Sequence, residues 1–122
     1  MLRQGPIPRS VHGAIEYLAG VLLIVSGFLL DFKSSAAIAA SIILGLLVLV
    51  MAASTDGPSS LINTIPLSVH VLVDYALAAV LVASPFLFGF TDETAATAFF
   101  IILGVVHLLV TIGTRFRDAN EP

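Results

Sequence analysis

Residues 7 to 17 read Ile-Pro-Arg-Ser-Val-His-Gly-Ala-Ile-Glu-Tyr, and residues 65 to 75 read Ile-Pro-Leu-Ser-Val-His-Val-Leu-Val-Asp-Tyr. Each copy opens a long apolar run. The register persists beyond them: Ser26 and Phe28 match Ser84 and Phe86, and Phe32 matches Phe90. After one extra residue in the second copy, Ile42-Ile43-Leu44-Gly45 answers Ile101-Ile102-Leu103-Gly104. A duplicated unit of two apolar segments is an architecture in itself. It predicts two copies, about 7–55 and 65–114, inside one domain covering residues 1–122.

The apolar runs lie at about 10–32, 34–53, 66–90 and 93–113. Each is close to the roughly 20 residues a helix needs to cross a hydrocarbon core. Residues of hydrophobic type make up 58% of the chain and charged residues 11%, with a mean hydropathy of +1.09. A soluble domain of this size has no means of covering so much apolar surface. Four spans cannot close a barrel, and lipid offers no partner to an open sheet edge, so the spans must be helices. The expected fold is all-α: a four-helix transmembrane bundle built from two parallel two-helix repeats, with the lipid bilayer as its surroundings.

The breaks between runs carry turn residues. Asp31-Phe32-Lys33-Ser34 predicts a tight first hairpin, and Thr55-Asp56-Gly57-Pro58-Ser59-Ser60 begins the longest loop. Thr91-Asp92-Glu93 makes the third turn, and its acids suit the N-terminus of the following helix. The first run also invites a signal-peptide reading: Arg3 and Arg9, then an apolar stretch, then Ala36-Ala37-Ile38-Ala39-Ala40. The second copy repeats the first run's landmarks without any cleavage role, which favours a retained span.

Arg3, Arg9, Arg115 and Arg117 flank the first and last spans, while the short hairpins hold Lys33 against Asp31, Asp92 and Glu93. The positive-inside rule then places both termini and the middle loop in the cytoplasm. Both repeats insert the same way and are related by a pseudo-two-fold along the membrane normal. Ala37, Ser41 and Gly45 in span 2, and Ala79 and Ala83 in span 3, are small residues at four-residue spacing. They predict close helix packing, within the bundle or at a face that joins two copies. Pro85 predicts a kink near the end of span 3.

Val25-Ser26-Gly27-Phe28 and Ala83-Ser84-Pro85-Phe86 sit late in spans 1 and 3. With the two-span repeat, they resemble the SPW-repeat family of small bacterial membrane proteins, named for a Ser-Pro-Trp motif in the first helix of each repeat. The resemblance covers roughly Ser10 to Thr114. Gly27 replaces Pro in the first copy, Phe replaces Trp in both, and the chain has no Trp. The resemblance implies four membrane helices in a bacterial inner membrane. It implies no activity, and the His-acid pairs lie outside the named motif.

Those pairs are the chemistry the chain offers. His12 and Glu16 are four residues apart and share a helix face, and His70 and Asp74 repeat them. His107 in span 4 has no counterpart, because span 2 carries Val48 there. At about 1.5 Å per residue, Glu16 lies roughly 10 Å past Arg9, and Asp74 roughly 12 Å past Pro66. Counted back from Arg115, His107 lies roughly 12 Å into span 4. The three share one level in the cytoplasmic half, with His12 and His70 a turn nearer the surface. Three imidazoles and two carboxylates suit a divalent ion such as Zn²⁺, Fe²⁺ or Mn²⁺. Bundle cores commonly build such sites from inward-facing side chains.

Other readings use the same residues. A His and an acid at i, i+4 can bond each other, leaving a structural or accessory subunit whose polar groups only join helices. Its partners would be a second copy or a larger membrane complex. His12 and His70 can be read as axial haem ligands, and Glu16, Asp74 and His107 as a proton relay. The relay lacks ionisable residues between this level and the hairpin turns. Tyr17 and Tyr75 fall at the cluster's edge, and Ser26 and Ser84 are placed to bond back to helix carbonyls. The absence of Cys excludes disulfides, thiolate metal sites and cysteine nucleophiles. The net charge of −3 is spread along the chain, which offers no basic stripe for nucleic acid. No nucleophile is paired with a base outside the cluster and no phosphate loop is present, so the sequence does not point to an enzyme.

Overall fold

The computed structural model describes residues 5–55 and 60–115. Four long helices carry most of the described residues: α1 (Arg9–Leu29), α2 (Ser35–Ser54), α3 (Leu67–Leu87) and α4 (Thr94–Gly113). Each is long and apolar enough to span a membrane. Two short segments, β1 (Ile7–Pro8) and β2 (Thr114–Arg115), complete the described elements. Arg3, Arg117 and residues 56–59 of the predicted middle loop lie outside the described residues.

The repeat appears in the local geometry. Pro8 and Pro66 are the N-caps of α1 and α3, with φ of −65° and −61°. Proline is preset to that φ and has no N–H to leave unpaired at a helix start. The C-termini of α1 and α3 also match. Phe32 N donates to Gly27 O at 2.9 Å, and Phe90 N donates to Pro85 O at 3.0 Å. Both turns pass through a left-handed residue, Asp31 at φ 55° and Gly89 at φ 72°. A buried aromatic then follows in each copy, Phe32 or Phe90. This is the backbone pattern of a helix C-cap closed by a left-handed residue, made twice.

Pro85 lies in the last turn of α3, and the helix ends two residues later. It thus stands just before the helix stop. Ser26 Oγ donates to Leu23 O at 2.8 Å and Ser84 Oγ to Val80 O at 2.6 Å, as their positions predict.

Each hairpin is a close helix pair: α1 packs along α2, and α3 along α4. Small residues set the approach. A Cβ added to Gly45 would stand 2.7 Å from Gly20 O, and one added to Gly104 would stand 3.0 Å from Val82 N. Ala37, Ser41 and Gly45 are all buried, as predicted. Ala79 is exposed and Ala83 only half-buried; Ala78 is the buried small residue of that turn. The four-residue spacing in span 3 therefore lies one position away from the face that packs.

The hairpins close on each other at both ends. At the hairpin-turn end, the Phe32 ring of the first hairpin meets Phe99 at 5.9 Å and Phe100 at 6.5 Å in the second. Glu93 is the N-cap of α4, yet its side chain makes no cap bond there. Instead its carboxylate accepts from Lys33 N at 2.5 Å and Ser34 N at 2.9 Å. The acid thus serves the start of α2 in the other repeat, not the helix that follows it. Ser34 caps α2 from its own side chain, accepting from Ala37 N at 3.2 Å. Asp31 bonds the exposed Lys33 ammonium at 2.9 Å and raises its pKa.

At the opposite end, β1 pairs with β2 in parallel, Ile7 opposite Thr114. Thr55 pairs with Ile65 in the same sense. These are one contact made twice: the start of each repeat meets the end of the other. Such crossed, parallel pairing is what a two-fold between tandem repeats produces. The outward faces carry Leu18, Phe28, Ile43, Phe86, Ile102 and Leu109, all exposed. A ring of bare apolar side chains around a small bundle is a lipid-facing surface. Phe28 and Phe86, which stand where the Trp of the motif would be, are on that surface.

Candidate functional site

His12 and Glu16 fall in the first three turns of α1, and His70 and Asp74 in the first three turns of α3. Spacing of four places each pair on one helix face. The crossed pairing of repeat ends turns the two faces toward each other. All four side chains are buried, between 2% and 4% exposed.

The four groups form a closed ring in which nitrogen and oxygen alternate. His12 Nε2 lies 3.1 Å from Asp74 Oδ2, and Asp74 Oδ1 lies 3.3 Å from His70 Nε2. His70 Nε2 lies 2.9 Å from Glu16 Oε1, and Glu16 Oε2 lies 3.4 Å from His12 Nε2. The contacts across the repeats are shorter than those within a helix. Each His therefore answers chiefly to the other repeat's acid, whereas the sequence pattern alone favoured pairing at i, i+4. One donor atom from each residue lies within 4.8 Å of all the others.

His107 reaches the ring from α4. Its Nε2 stands 3.6 Å from Asp74 Oδ1, and its ring centroid 6.5 Å from that of His12. It is buried, and its Nε2 has no hydrogen-bond partner among the described residues. It lies outside the compact four-donor set. The symmetry-related position holds Val48, which is buried in the apolar core. The two-fold is broken here.

Sequence reasoning missed two residues. Thr114 Oγ1 lies 2.7 Å from His12 Nδ1, and Thr55 Oγ1 lies 2.5 Å from His70 Nδ1. Both threonines are buried, at the ends of α4 and α2. A signal existed: they are 59 residues apart, the offset that relates Ile42 to Ile101. Tyr17 and Tyr75 are half-buried beside the acids.

The arrangement constrains the chemistry. Two imidazole nitrogens and two carboxylates converge in a region with little water, where each needs either a shared hydrogen or a cation. Hard and borderline divalent ions accept such a donor set. The His12 and His70 rings meet edge to face with centroids 6.2 Å apart. Both Nε2 atoms are turned to carboxylates, which leaves no slot for a porphyrin between the rings.

No curated protein and no solved structure matches this chain. The family model for the SPW repeat domain matches residues 10–114, from just before His12 to Thr114, and so takes in every residue of the ring. With that match and four membrane-length helices in two equivalent hairpins, the chain belongs to the SPW repeat family.

Proposed function

We propose that the chain is a single-domain membrane protein that binds one divalent transition metal in a structural or sensing role. Zn²⁺, Fe²⁺ and Mn²⁺ are the candidates. His12, Glu16, His70 and Asp74 are the core ligands, and His107 is a further ligand drawn in from α4. The membrane is the bacterial inner membrane, with both termini in the cytoplasm, on the family and the flanking Arg9 and Arg115. The reading assigns no catalysis.

The observation that carries it is the alternating ring. Four-coordinate zinc with ligands at about 2.0–2.1 Å has donor-to-donor edges of about 3.3–3.4 Å. The nitrogen–oxygen contacts here run from 2.9 to 3.4 Å through both oxygens of each acid, and a set with one donor atom from each residue lies within 4.8 Å, so a bound ion would draw the four donors together. Charge supports the same ion class. Two carboxylates, neutral imidazoles and one divalent ion sum to zero, the state a low-dielectric interior favours. A bound ion would take the place of the hydrogens that otherwise join nitrogen to oxygen.

A second reading follows from one specific observation: each of the four groups already finds partners inside the ring. In that case the cluster joins α1 to α3, and the protein is a structural or accessory subunit of a homo-oligomer or larger membrane complex. Elemental analysis of detergent-purified protein separates the two, before and after incubation with Zn²⁺, Fe²⁺ and Mn²⁺. The metal reading expects near one ion per chain, reduced in His70→Ala and in His107→Ala. Full occupancy in both variants, or no ion in the wild type, overturns it.

A further inference from the structure

Thr55 and Thr114 touch the ring from behind, and their hydrogen bonds fix where the imidazole hydrogens are. Each hydroxyl oxygen has two close neighbours. Thr55 Oγ1 lies 2.6 Å from Met51 O and 2.5 Å from His70 Nδ1. Thr114 Oγ1 lies 2.6 Å from Val110 O and 2.7 Å from His12 Nδ1. A carbonyl oxygen carries no hydrogen, so an oxygen–oxygen contact of that length requires the hydroxyl's own. A threonine has one hydroxyl hydrogen. It is therefore spent on the helix carbonyl in both cases. The hydrogen in the second contact has to come from the imidazole.

His12 and His70 thus both donate from Nδ1. In a neutral imidazole this leaves the lone pair on Nε2, the atom that faces Glu16 and Asp74. Each threonine comes from the repeat opposite to the histidine it holds. Thr114 ends the second repeat and holds His12; Thr55 ends the first and holds His70. The same end-to-end pairing, Ile7 with Thr114 and Thr55 with Ile65, delivers both hydroxyls.

We propose that Thr55 and Thr114 are positioning residues that hold His70 and His12 in the Nδ1–H form and so present both Nε2 atoms to one divalent cation. The proposal rests on the metal reading above. It extends that reading from the ligands to the parts that orient them. A metal-bound imidazole characteristically donates its other nitrogen to a fixed acceptor, and loss of that acceptor weakens binding by about 10–100-fold. Here the acceptor is a hydroxyl whose own hydrogen is locked onto a helix end, so it can only accept. Without it, the ring is free to turn over or to move its hydrogen to Nε2, and either change removes the lone pair from the site.

The test compares full-length protein in detergent as wild type, as the Thr55→Val/Thr114→Val double variant, and as the Thr55→Ser/Thr114→Ser double variant. Valine keeps the shape and removes the acceptor; serine keeps the acceptor. Co²⁺ is the probe, titrated by its visible absorption, which reports ligand geometry as well as occupancy. The expected result is one Co²⁺ per wild-type chain, about 10–100-fold weaker binding with an altered spectrum in the valine form, and recovery of both in the serine form. Histidine ¹⁵N spectra of the metal-free protein add a readout that packing alone would not move. They should show Nδ1 protonated in His12 and His70 of the wild type and serine forms.

Wild-type affinity and an unchanged spectrum in the valine variant would overturn the positioning role while leaving the metal site standing. An unprotonated Nδ1 on either histidine of the wild type would overturn it too, even if the valine variant does not fold. A wild type that binds no Co²⁺ overturns the metal reading, and the proposal with it.

Discussion

The two repeats supply nearly the same parts and do not do the same work. Each gives a proline N-cap, a histidine, an acid one turn later, and a threonine at the end of its second helix. Each closes its first helix with the same C-cap and a buried Phe. They differ in three places that matter: Glu16 against Asp74, Val48 against His107, and Asp31 against Gly89. The shared parts build the scaffold and the ring. The differences concentrate contacts on one acid. Asp74 lies within 3.6 Å of three imidazoles, His12, His70 and His107, whereas Glu16 meets two. Duplication explains why the ring closes; the departures from it explain why the ring has a side toward α4.

Breaking the shared part should have the largest effect. His70→Ala and His12→Ala should each abolish stoichiometric metal, since each removes one of two nitrogens from the ring. Each also leaves buried carboxylate without its main partner, a loss of about 3–5 kcal/mol when a buried pair is broken. Thermal unfolding in detergent, alongside metal content, reads both. Equal losses from the two variants support the two-fold reading. A variant that loses neither ion nor stability contradicts it.

The acids sharpen the comparison. Asp74→Asn should weaken metal binding more than Glu16→Gln, because Asp74 touches one imidazole more. Competition with a chelator of known affinity measures the ratio, and a ratio of one or below removes the asymmetry from the account. Val48 and His107 offer the next step. His107→Val restores the repeat's symmetry and removes a buried Nε2 that has no hydrogen-bond partner among the described residues. Metal affinity should fall by about tenfold, less than in His70→Ala, while thermal stability holds or rises. A large loss of stability would mean that His107 is a structural element of the apo bundle.

The smallest effect belongs to the turn. Asp31 adopts the left-handed conformation that Gly89 adopts in the other copy. Asp31→Gly should stabilise the protein by up to about 1 kcal/mol, less whatever its exposed contact with Lys33 contributes. Metal content should not change, because the turn lies at the end of α1 away from the ring.

Much of this was legible in the sequence, and the reason is the repeat. Four helices follow from run length and composition, because lipid permits a spanning segment few alternatives. The five polar residues stood out because ionisable groups in apolar spans are rare. Their pairing was harder to read. A spacing of four brings His12 and Glu16 onto one face, but it does not say whether the partner is one turn away or on another helix. The bundle answers with contacts of 2.9 and 3.1 Å across repeats against 3.3 and 3.4 Å within them. Thr55 and Thr114 were passed over because a threonine at a helix end is ordinary, and only the closure of both hairpins brings them to the rings. Glu93 was half legible: it stands at the start of α4 as its sequence position suggests, but its side chain reaches elsewhere. Its position fits a cap on α4, while the turn beside it offers two free N–H groups at the start of α2.

The most direct test is X-ray absorption at the metal edge, on protein loaded with Zn²⁺ in detergent and then freed of excess ion. The expected result is a retained ion with nitrogen and oxygen ligands at about 2.0–2.1 Å and the outer-shell scattering of at least two imidazoles. That scattering should drop by one ring in a folded His12→Ala variant that is forced to hold zinc at high concentration. An ion that washes away, or one whose spectrum contains no imidazole, would contradict the account and leave the ring as the polar contact that holds two hairpins together.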